Sequence, residues 1–304
     1  MSTLTKMCVF NVLEKGKRAP DGYKMIPMWI IFDVKMGTFR RKARLVAGGH
    51  TTEPPASDTY SSVASKESVR LSFFLAQLND LELVTVDITN AYVHAGCREK
   101  VCAIAGPEFG EFEGCVVILV KALYGLKSSG AAWHSHLSKR LRAMQFVPSL
   151  ADADMWMRRS SRPDGTSYYQ YIASYVDDLT IVTLEPEKIL DELKGYGYEL
   201  KGGGAPDTFL GATIGRHTFS DGSGSAWYQS AEDYLKNAIK TVEEQLGHSL
   251  PTGRVSTPLE HGYHPEIDET ALLDDDQANY YQSMIGILLW ASELGRIDIT
   301  KRLA

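Results

Sequence analysis

Residues 168–184 read Tyr-Tyr-Gln-Tyr-Ile-Ala-Ser-Tyr-Val-Asp-Asp-Leu-Thr-Ile-Val-Thr-Leu, and this segment is the strongest indication of the fold. Aromatic and β-branched residues, which favour strands, lie on both sides of the acidic pair Asp177-Asp178. The sequence therefore predicts two short strands that meet in a hairpin at residues 175–178. Two adjacent carboxylates at a hairpin tip are badly placed for a core and well placed to hold metal ions.

The two carboxylates are expected to have unequal roles. Side chains alternate across a strand, so Asp177 and Asp178 cannot both face one point unless the turn twists them together. We expect Asp177 to be the principal ligand. The alternative is that the pair is only turn chemistry, because Asp bonds to its own backbone in turns and tolerates unusual dihedral angles there.

A second acidic position lies at the end of another apolar strand. Residues 83–88 read Leu-Val-Thr-Val-Asp-Ile, and Asn90-Ala91-Tyr92 then opens a helix or a tight turn. If this strand lies beside the hairpin, Asp87 meets Asp177. Three carboxylates without a cation nearby in the sequence repel one another, and a divalent ion relieves that repulsion. Oxygen ligands select hard ions such as magnesium or manganese.

Five segments in a fixed order carry a family resemblance. They are Arg-Lys-Ala-Arg-Leu-Val-Ala-Gly-Gly-His at 41–50, Val-Asp-Ile-Thr-Asn-Ala-Tyr at 86–92, Lys-Ala-Leu-Tyr-Gly-Leu-Lys at 121–127, Tyr-Val-Asp-Asp at 175–178 and Phe-Leu-Gly at 209–211. With them the chain resembles the reverse transcriptase of copia-type (pseudoviral) LTR retrotransposons over nearly its whole length. The resemblance implies an α+β fold, a right-hand polymerase with fingers, palm and thumb, whose antiparallel palm sheet packs on helices.

The resemblance also implies a domain layout. The fingers and the start of the palm are expected in residues 1–85, the palm in 86–215 with a fingers–palm segment at 115–135, and the thumb with the start of the connection in 216–304. Residues 295–299 resemble the lead-in to a ribonuclease H portion. No ribonuclease H, integrase or protease was recognised in the sequence, so we expect an excised domain or a truncated element copy.

The implied activity is RNA-directed and DNA-directed DNA polymerisation by two-metal nucleotidyl transfer to a primer 3′-hydroxyl. Asp87, Asp177 and Asp178 are the implied catalytic metal ligands, holding two Mg²⁺ ions, with Mn²⁺ as a substitute. The implied partners are an RNA template, a DNA primer, deoxynucleoside triphosphates and, if the element is intact, the remainder of the Gag-Pol polyprotein. Two other hypotheses stay open: a catalytically inactive remnant that binds nucleic acid or protein, and a different magnesium-dependent nucleotidyl enzyme.

By the same resemblance, five residues bind the nucleotide: Lys42, Arg44, Tyr92, Tyr124 and Gly125. On a strand Lys42 and Arg44 share one face, where they would grip the triphosphate, although a charged edge strand is the alternative. Tyr92 would lie under the sugar and crowd a 2′-hydroxyl, but with 15 Tyr in the chain it could equally be a core residue. Small residues around Gly125 would let the backbone approach a ligand closely.

The implied template and primer contacts come from three segments. Phe209-Leu210-Gly211 matches a primer grip, with an ordinary strand start as the alternative. Trp133 lies on an apolar helical stripe and is interpreted as a core residue. The template and primer residues are Lys127, Tyr175, Val176, Phe209, Leu210 and Gly211.

Composition and helical spacing complete the expectations. The chain has 304 residues with 32 basic against 38 acidic residues, so positive charge at a template cleft must be concentrated locally. Helices are expected over 65–78, capped by Ser65, and over 230–246 and 280–294, with an acidic solvated loop at 266–276. No apolar run reaches membrane-spanning length, so no membrane partner is expected. We expect the protein in the cytoplasm, inside a virus-like particle if the element is intact, or in the nucleus.

Overall fold

The computed structural model describes residues 1–35, 40–56, 58–251, 253, 264, 267, 269–296 and 299. The sequence also indicates a fingers hairpin that passes through Met36-Gly37 into the basic strand, and these two residues lie outside the described residues. The chain folds into two compact units, residues 1–204 and 205–304. Among the described residues, no helix combines the length and the apolar character that a membrane crossing requires.

The helices and strands are numbered along the chain. The helices are α1 Ser2–Lys6, α2 Lys66–Leu78, α3 Ser129–Ala143, α4 Pro186–Gly195, α5 Glu232–Leu246 and α6 Asp275–Glu293. Short 3₁₀ helices cover Gly49–Thr51, Ala91–His94 and Pro107–Phe112. The strands are β1 Phe10–Val12, β2 Lys24–Met25, β3 Met28–Lys35, β4 Arg40–Ala47, β5 Glu82–Ile88, β6 Val101–Ile104, β7 Val116–Leu119, β8 Val147–Pro148, β9 Met155–Ser161, β10 Ser167–Tyr175, β11 Asp178–Thr183, β12 Leu200–Gly202, β13 Thr208–Phe209, β14 Ala212–Thr218 and β15 Ser225–Ser230.

A six-stranded antiparallel sheet is the frame of the first unit. Its strand order is β12-β5-β11-β10-β9-β8. Strands β10 and β11 form the predicted hairpin, and Asp87 on β5 lies directly opposite Asp178 on β11. The prediction that the strand of Asp87 lies beside the hairpin is therefore confirmed.

One face of this sheet carries the main core. Alternate residues of β5 and β11 pack there against α3 and α4, and burying each large apolar side chain stabilises the fold by roughly 1.5–3 kcal/mol. This alternation turns Asp87 and Asp178 to the opposite face. The core includes Val86, Ile88, Leu179 and Ile181 of the sheet, Trp133, Leu137 and Leu141 of α3, and Ile189 and Leu193 of α4.

Helix α2 packs on the face that carries Asp87. Its Ser72 Oγ lies 3.7 Å from the sulfur of Met155 on β9. In the sheet, Met155 is aligned with Thr85 of β5 through the paired residues of β10 and β11, and Thr85 lies two residues before Asp87. The predicted cap is confirmed, because the Ser65 side chain accepts a hydrogen bond from the backbone N–H of Ser68. Helix α2 therefore covers part of the face that also carries Asp87.

The first unit contains two more sheets. One has the order β1-β7-β6-β2, and the other is the hairpin of β3 and β4. In that hairpin Lys42 pairs with Asp33 and Arg44 with Ile31, so both basic residues share one face, as predicted. The end of β4 is joined to the segment before α3, because the N–H of Ala47 donates to the carbonyl of Tyr124 over 2.7 Å.

The second unit consists of a small antiparallel sheet with α5 and α6. Its sheet order is β13-β14-β15, and Leu210 and Gly211 form the turn between the first two strands with φ values of 52° and 85°. Ala212, Ala231 and Leu294 are buried between these elements. Both units mix helices with antiparallel strands, which confirms the α+β prediction.

The acidic stretch near the end of the chain differs from the expected solvated loop. Asp274 is the N-cap of α6, where its carboxylate accepts from the N–H of Gln277 in a capping box, and Asp275 and Asp276 lie in the first turn. Acidic residues there interact favourably with the helix dipole. The helix therefore begins before the expected residue 280.

Candidate active site

A cavity of about 280 Å³ opens at the end of β5 and β11, within the first unit. It gathers residues from the β3–β4 hairpin, from β5 and the turn after it, from the β10–β11 turn and from β12. The lining consists of Met1, Thr3, Leu4, Ile30, Lys42, Ala43, Arg44, Leu45, Asp87, Ile88, Thr89, Asn90, Tyr92, Val93, Leu123, Tyr124, Asp177 and Lys201. Six of the residues predicted from the sequence therefore lie around one space.

The two principal carboxylates reach the cavity from distant parts of the sequence. The N–H of Ile88 donates to the carbonyl of Asp177 over 2.8 Å, which fastens the residue after Asp87 to the hairpin turn. Burial raises the pKa of Asp177, and the negative charge of Asp87 raises it further. The pair therefore offers oxygen ligands whose mutual repulsion a divalent cation would relieve.

The hairpin turn itself is strained. Val176 has φ of 58°, in the left-handed region that a β-branched residue rarely adopts. Such a conformation costs on the order of 1–3 kcal/mol and persists only where the surroundings impose it. The strain lies one residue before Asp177.

Asp178 is placed differently from the other two carboxylates. It lies opposite Asp87 in the β5–β11 ladder but is not among the residues that line the cavity. Among the described residues, no group of three His, Cys, Asp or Glu side chains is placed to hold a metal ion. Alternation puts Asp87 and Asp178 on one face of the sheet, and the hairpin turn brings Asp177 to the cavity beside Asp87. The metal-binding role of the three carboxylates stays a prediction. Mg²⁺ commonly uses one or two carboxylates and takes its other ligands from water and phosphate.

Three cationic side chains face the carboxylates. Lys42 and Arg44 line the cavity, and a guanidinium nitrogen of Arg44 lies 3.6 Å from the carboxylate of Asp33. Lys201 was not predicted. It lies directly opposite Asp87 in the β5–β12 ladder and also lines the cavity. The sequence before Gly202 shows only a short strand-like stretch, and only the strand order reveals the position of Lys201.

A pair of tyrosines forms part of the cavity wall. The ring centroids of Tyr92 and Tyr124 are 4.7 Å apart, at an interplanar angle of 57°. Burial is the main cause that raises the pKa of Tyr92, and it raises the pKa of Tyr124 to about 12, with the charge of Asp177 adding to both shifts. Tyr92 is therefore a wall residue of the cavity rather than a fully enclosed core residue.

Comparison with known proteins decides the family. The model of the family described as "Reverse transcriptase (RNA-dependent DNA polymerase)" matches residues 10–243, which include most of the cavity lining. The chain belongs to the reverse transcriptase family. Membership confirms the expected right-hand polymerase fold, and the family generally uses divalent metal ions.

Transposon proteins are among the relatives of this reverse transcriptase family member. It is similar to the retrovirus-related Pol polyprotein from transposon TNT 1-94 of Nicotiana tabacum, with 26% identity over 313 residues, covering 98% of this chain and 22% of the relative. It is also similar to a putative transposon Ty5-1 protein of Saccharomyces cerevisiae, with 27% identity over 228 residues, covering 71% of this chain and 66% of the relative. The resemblance to copia-type elements is confirmed.

A solved structure is also similar. It is the foamy viral protease-reverse transcriptase in complex with double-stranded DNA, with a TM-score of 0.49 and 16% identity, covering 95% of this chain and 38% of that chain. The present chain thus spans less than half of that protein and about a fifth of the Nicotiana tabacum polyprotein.

Gly125 of this reverse transcriptase family member lies against the backbone of the protein itself, and its contact with a nucleotide stays a prediction. It has φ of 92°, and a Cβ atom added there would lie 2.1 Å from the carbonyl oxygen of Ala47. A Cβ on Gly49 would in turn lie 2.3 Å from the carbonyl oxygen of Gly125. The close approach is therefore to the protein's own backbone, and it joins the strand of Lys42 and Arg44 to Tyr124.

The expected template and primer residues lie in separate places. Tyr175 and Val176 flank the carboxylates at the hairpin, whereas the ammonium of Lys127 donates to the carbonyl of Thr52. Residues 209–211 belong to the second unit, where Phe209 is buried and the next two residues form the turn. The nucleic-acid contacts assigned to these residues stay predictions.

Proposed function

We propose that this chain is an RNA-directed and DNA-directed DNA polymerase that adds deoxynucleotides to a primer 3′-hydroxyl. The observation that carries the proposal is the meeting of Asp87 and Asp177 in one cavity with Lys42 and Arg44. Membership of the reverse transcriptase family supports it. A catalytically inactive binding module is less favoured, since such a role needs no half-buried pair of carboxylates in one cavity.

The donor set suits magnesium. Asp87 and Asp177 present carboxylate oxygens, and the described lining residues include neither cysteine nor histidine, so the available ligands are those that hard ions prefer. These two residues would hold the metal, with Asp178 beside them. When bound, two such ions make the primer hydroxyl a better nucleophile and stabilise the departing pyrophosphate.

The other lining residues bind and orient the nucleotide. The forked guanidinium of Arg44 fits phosphate oxygens bidentately, and the ammonium of Lys42 supplies a point charge. Lys201 adds positive charge next to Asp87, where triphosphate oxygens and carboxylates would otherwise repel. Tyr92 forms a wall against which a deoxyribose fits and a 2′-hydroxyl is crowded.

Primer extension tests the proposal. The 304-residue chain is given a labelled DNA primer on an RNA template, Mg²⁺ and four deoxynucleoside triphosphates. We expect extension by the wild type and none by Asp87→Asn or Asp177→Asn. Asp164→Asn is the matched control, because it removes the same charge from an exposed loop and should extend normally. No extension by the wild type, or undiminished extension by Asp177→Asn, would contradict the proposal.

A further inference from the structure

The buried indole of Trp133 contacts the hairpin turn that carries Asp177. Its Nε1–H donates a hydrogen bond of 2.7 Å to the carbonyl oxygen of Val176. Trp133 lies on α3, on the core side of the six-stranded sheet, and only 1% of its surface is exposed. The sequence indicates a core residue here, and the structure adds a polar contact to that role.

The carbonyl that Trp133 binds belongs to the strained residue of the turn. Val176 has a positive φ, which a valine adopts only when its surroundings hold it. The peptide that follows is planar, so fixing the carbonyl oxygen of Val176 also fixes the N–Cα bond of Asp177. The direction of the Asp177 side chain depends on that bond.

Asp177 is held on both sides of its Cα atom. The carbonyl before it is bound by Trp133, and its own carbonyl accepts from the N–H of Ile88 over 2.8 Å. The first bond comes from α3 and the second from β5, next to Asp87. With both peptide planes fixed, the direction of the Cα–Cβ bond of Asp177 is set before any ligand arrives.

The indole is itself fixed by aromatic neighbours. The ring centroid of His136 lies 5.8 Å away and nearly parallel, that of Tyr198 lies 5.8 Å away, and that of His94 lies 6.2 Å away. A side chain packed on these sides cannot rotate to follow a moving turn. The Nε1–H group of Trp133 therefore has a fixed position.

We propose that Trp133 is a positioning residue, which sets the orientation of Asp177 through the hydrogen bond to the carbonyl of Val176. This inference rests on the proposed polymerase function. It differs from a packing role in requiring the N–H group and not only the volume of the ring.

Two variants separate the N–H group from the ring. Trp133→Phe removes the donor with part of the volume. Benzothienylalanine at the same position keeps the volume and replaces the N–H by sulfur. We expect both to lower kcat for single-nucleotide addition roughly 10- to 100-fold while KM for the nucleotide changes less than twofold.

Trp156→Phe is the matched control. Trp156 is equally buried in the same core, and among the described residues its Nε1 has no hydrogen-bond partner. Its substitution should lower stability without lowering kcat. Val176→Gly gives a second check, because glycine adopts positive φ without strain, so the effect of Trp133→Phe should shrink at least threefold in that background.

A binding measurement keeps this inference separate from the polymerase proposal. Mn²⁺ titrated into the protein and followed by electron paramagnetic resonance should bind at least fivefold more weakly to both Trp133 variants than to the wild type or Trp156→Phe. If the wild type does not extend primers, the polymerase proposal fails. The Mn²⁺ titration alone then tests whether Trp133 orients Asp177. Unchanged kcat and Mn²⁺ affinity in the benzothienylalanine variant, or equal losses in Trp156→Phe, would overturn the inference.

Discussion

The backbone N–H of Ile88 donates a 2.8 Å hydrogen bond to the carbonyl oxygen of Asp177. This bond extends the β5–β11 ladder into the hairpin turn and places the residue after Asp87 against the residue that carries the other carboxylate. Two acidic groups from distant segments thus meet where two neighbouring interior strands of the sheet end. The backbone hydrogen bond from Ile88 and the indole N–H of Trp133 both hold the turn there.

Substitutions of two neighbouring cations on β4 should differ in their effect on KM for the nucleotide. Lys42→Ala should raise KM for the nucleotide about tenfold, or ~1.4 kcal/mol, because the ammonium faces the cavity. Arg41→Ala removes an adjacent exposed charge that is not part of the lining and should leave KM within twofold. Steady-state kinetics at constant ionic strength measure both. Equal effects of the two substitutions would show that only general charge matters.

The position of Tyr92 in the cavity wall predicts that it selects deoxynucleotides over ribonucleotides. Tyr92→Ala should raise the ratio of kcat/KM for ribonucleotides to that for deoxynucleotides by roughly 10- to 100-fold, since a ring no longer crowds the 2′-hydroxyl. Tyr92→Phe keeps the ring and should retain the wild-type ratio. Competition between the two nucleotides on one template measures this ratio. An unchanged ratio in Tyr92→Ala would refute the role of Tyr92 in selecting the sugar.

The backbone joint at Gly125 predicts a large loss of stability. Gly125→Ala should lower the free energy of unfolding by roughly 2–4 kcal/mol, because its Cβ would meet the carbonyl of Ala47 at 2.1 Å. Gly165→Ala has a similar φ, 85°, but open space around it, and should cost only about 1–2 kcal/mol. Urea unfolding compares them. Equal losses would mean that φ, and not the close approach, requires glycine at 125.

Local sequence signals predicted the parts of the fold that depend on local physics. The residues around Asp177 indicated the hairpin, and the cap at Ser65 indicated α2, because strand-forming residues and capping act over a few residues. The start of α6 was missed because the acidic run was interpreted by its charge. The spacing of Asp274 and Gln277 is a capping-box signal that could have located it.

The unpredicted parts of the site depend on which segments become neighbours. Lys201 faces Asp87 only because β12 pairs with β5 in one register, and a shift of one residue would turn it away. The partner of Gly125 and the acceptor for Trp133 are likewise set by packing between distant elements. Spacing along the chain contains no signal for such contacts.

Two histidines on α3 predict opposite effects of pH on stability. His134 Nε2 lies 2.7 Å from the buried carboxylate of Asp154, and this hydrogen bond raises the pKa of His134, while burial and Arg142 oppose the shift. A raised pKa in the folded state stabilises at low pH. The loss in the free energy of unfolding caused by His134→Gln should be greatest below about pH 6.5. It should disappear as the pH rises through the raised pKa of His134.

His136 should show the reverse. Burial, with the charges of Arg140, His94, Lys121 and Lys139, lowers its pKa to about 4. The neutral ring therefore stabilises the fold above pH 6.5, and this contribution is lost as pH falls toward 4. Urea titrations of His136→Gln and His134→Gln between pH 4 and 8 measure both. Parallel pH profiles for the two variants would contradict the assignment.

Locating a divalent ion in a ternary complex would show whether Asp87 and Asp177 hold the metal together. Crystals of the protein with a DNA primer on an RNA template, a non-hydrolysable deoxynucleotide analogue and Mn²⁺ would be measured at the manganese absorption edge. We expect anomalous density between the carboxylates of Asp87 and Asp177, against the triphosphate. A nucleotide bound in the cavity with no manganese at these two residues, or with manganese bound elsewhere, would contradict the claim.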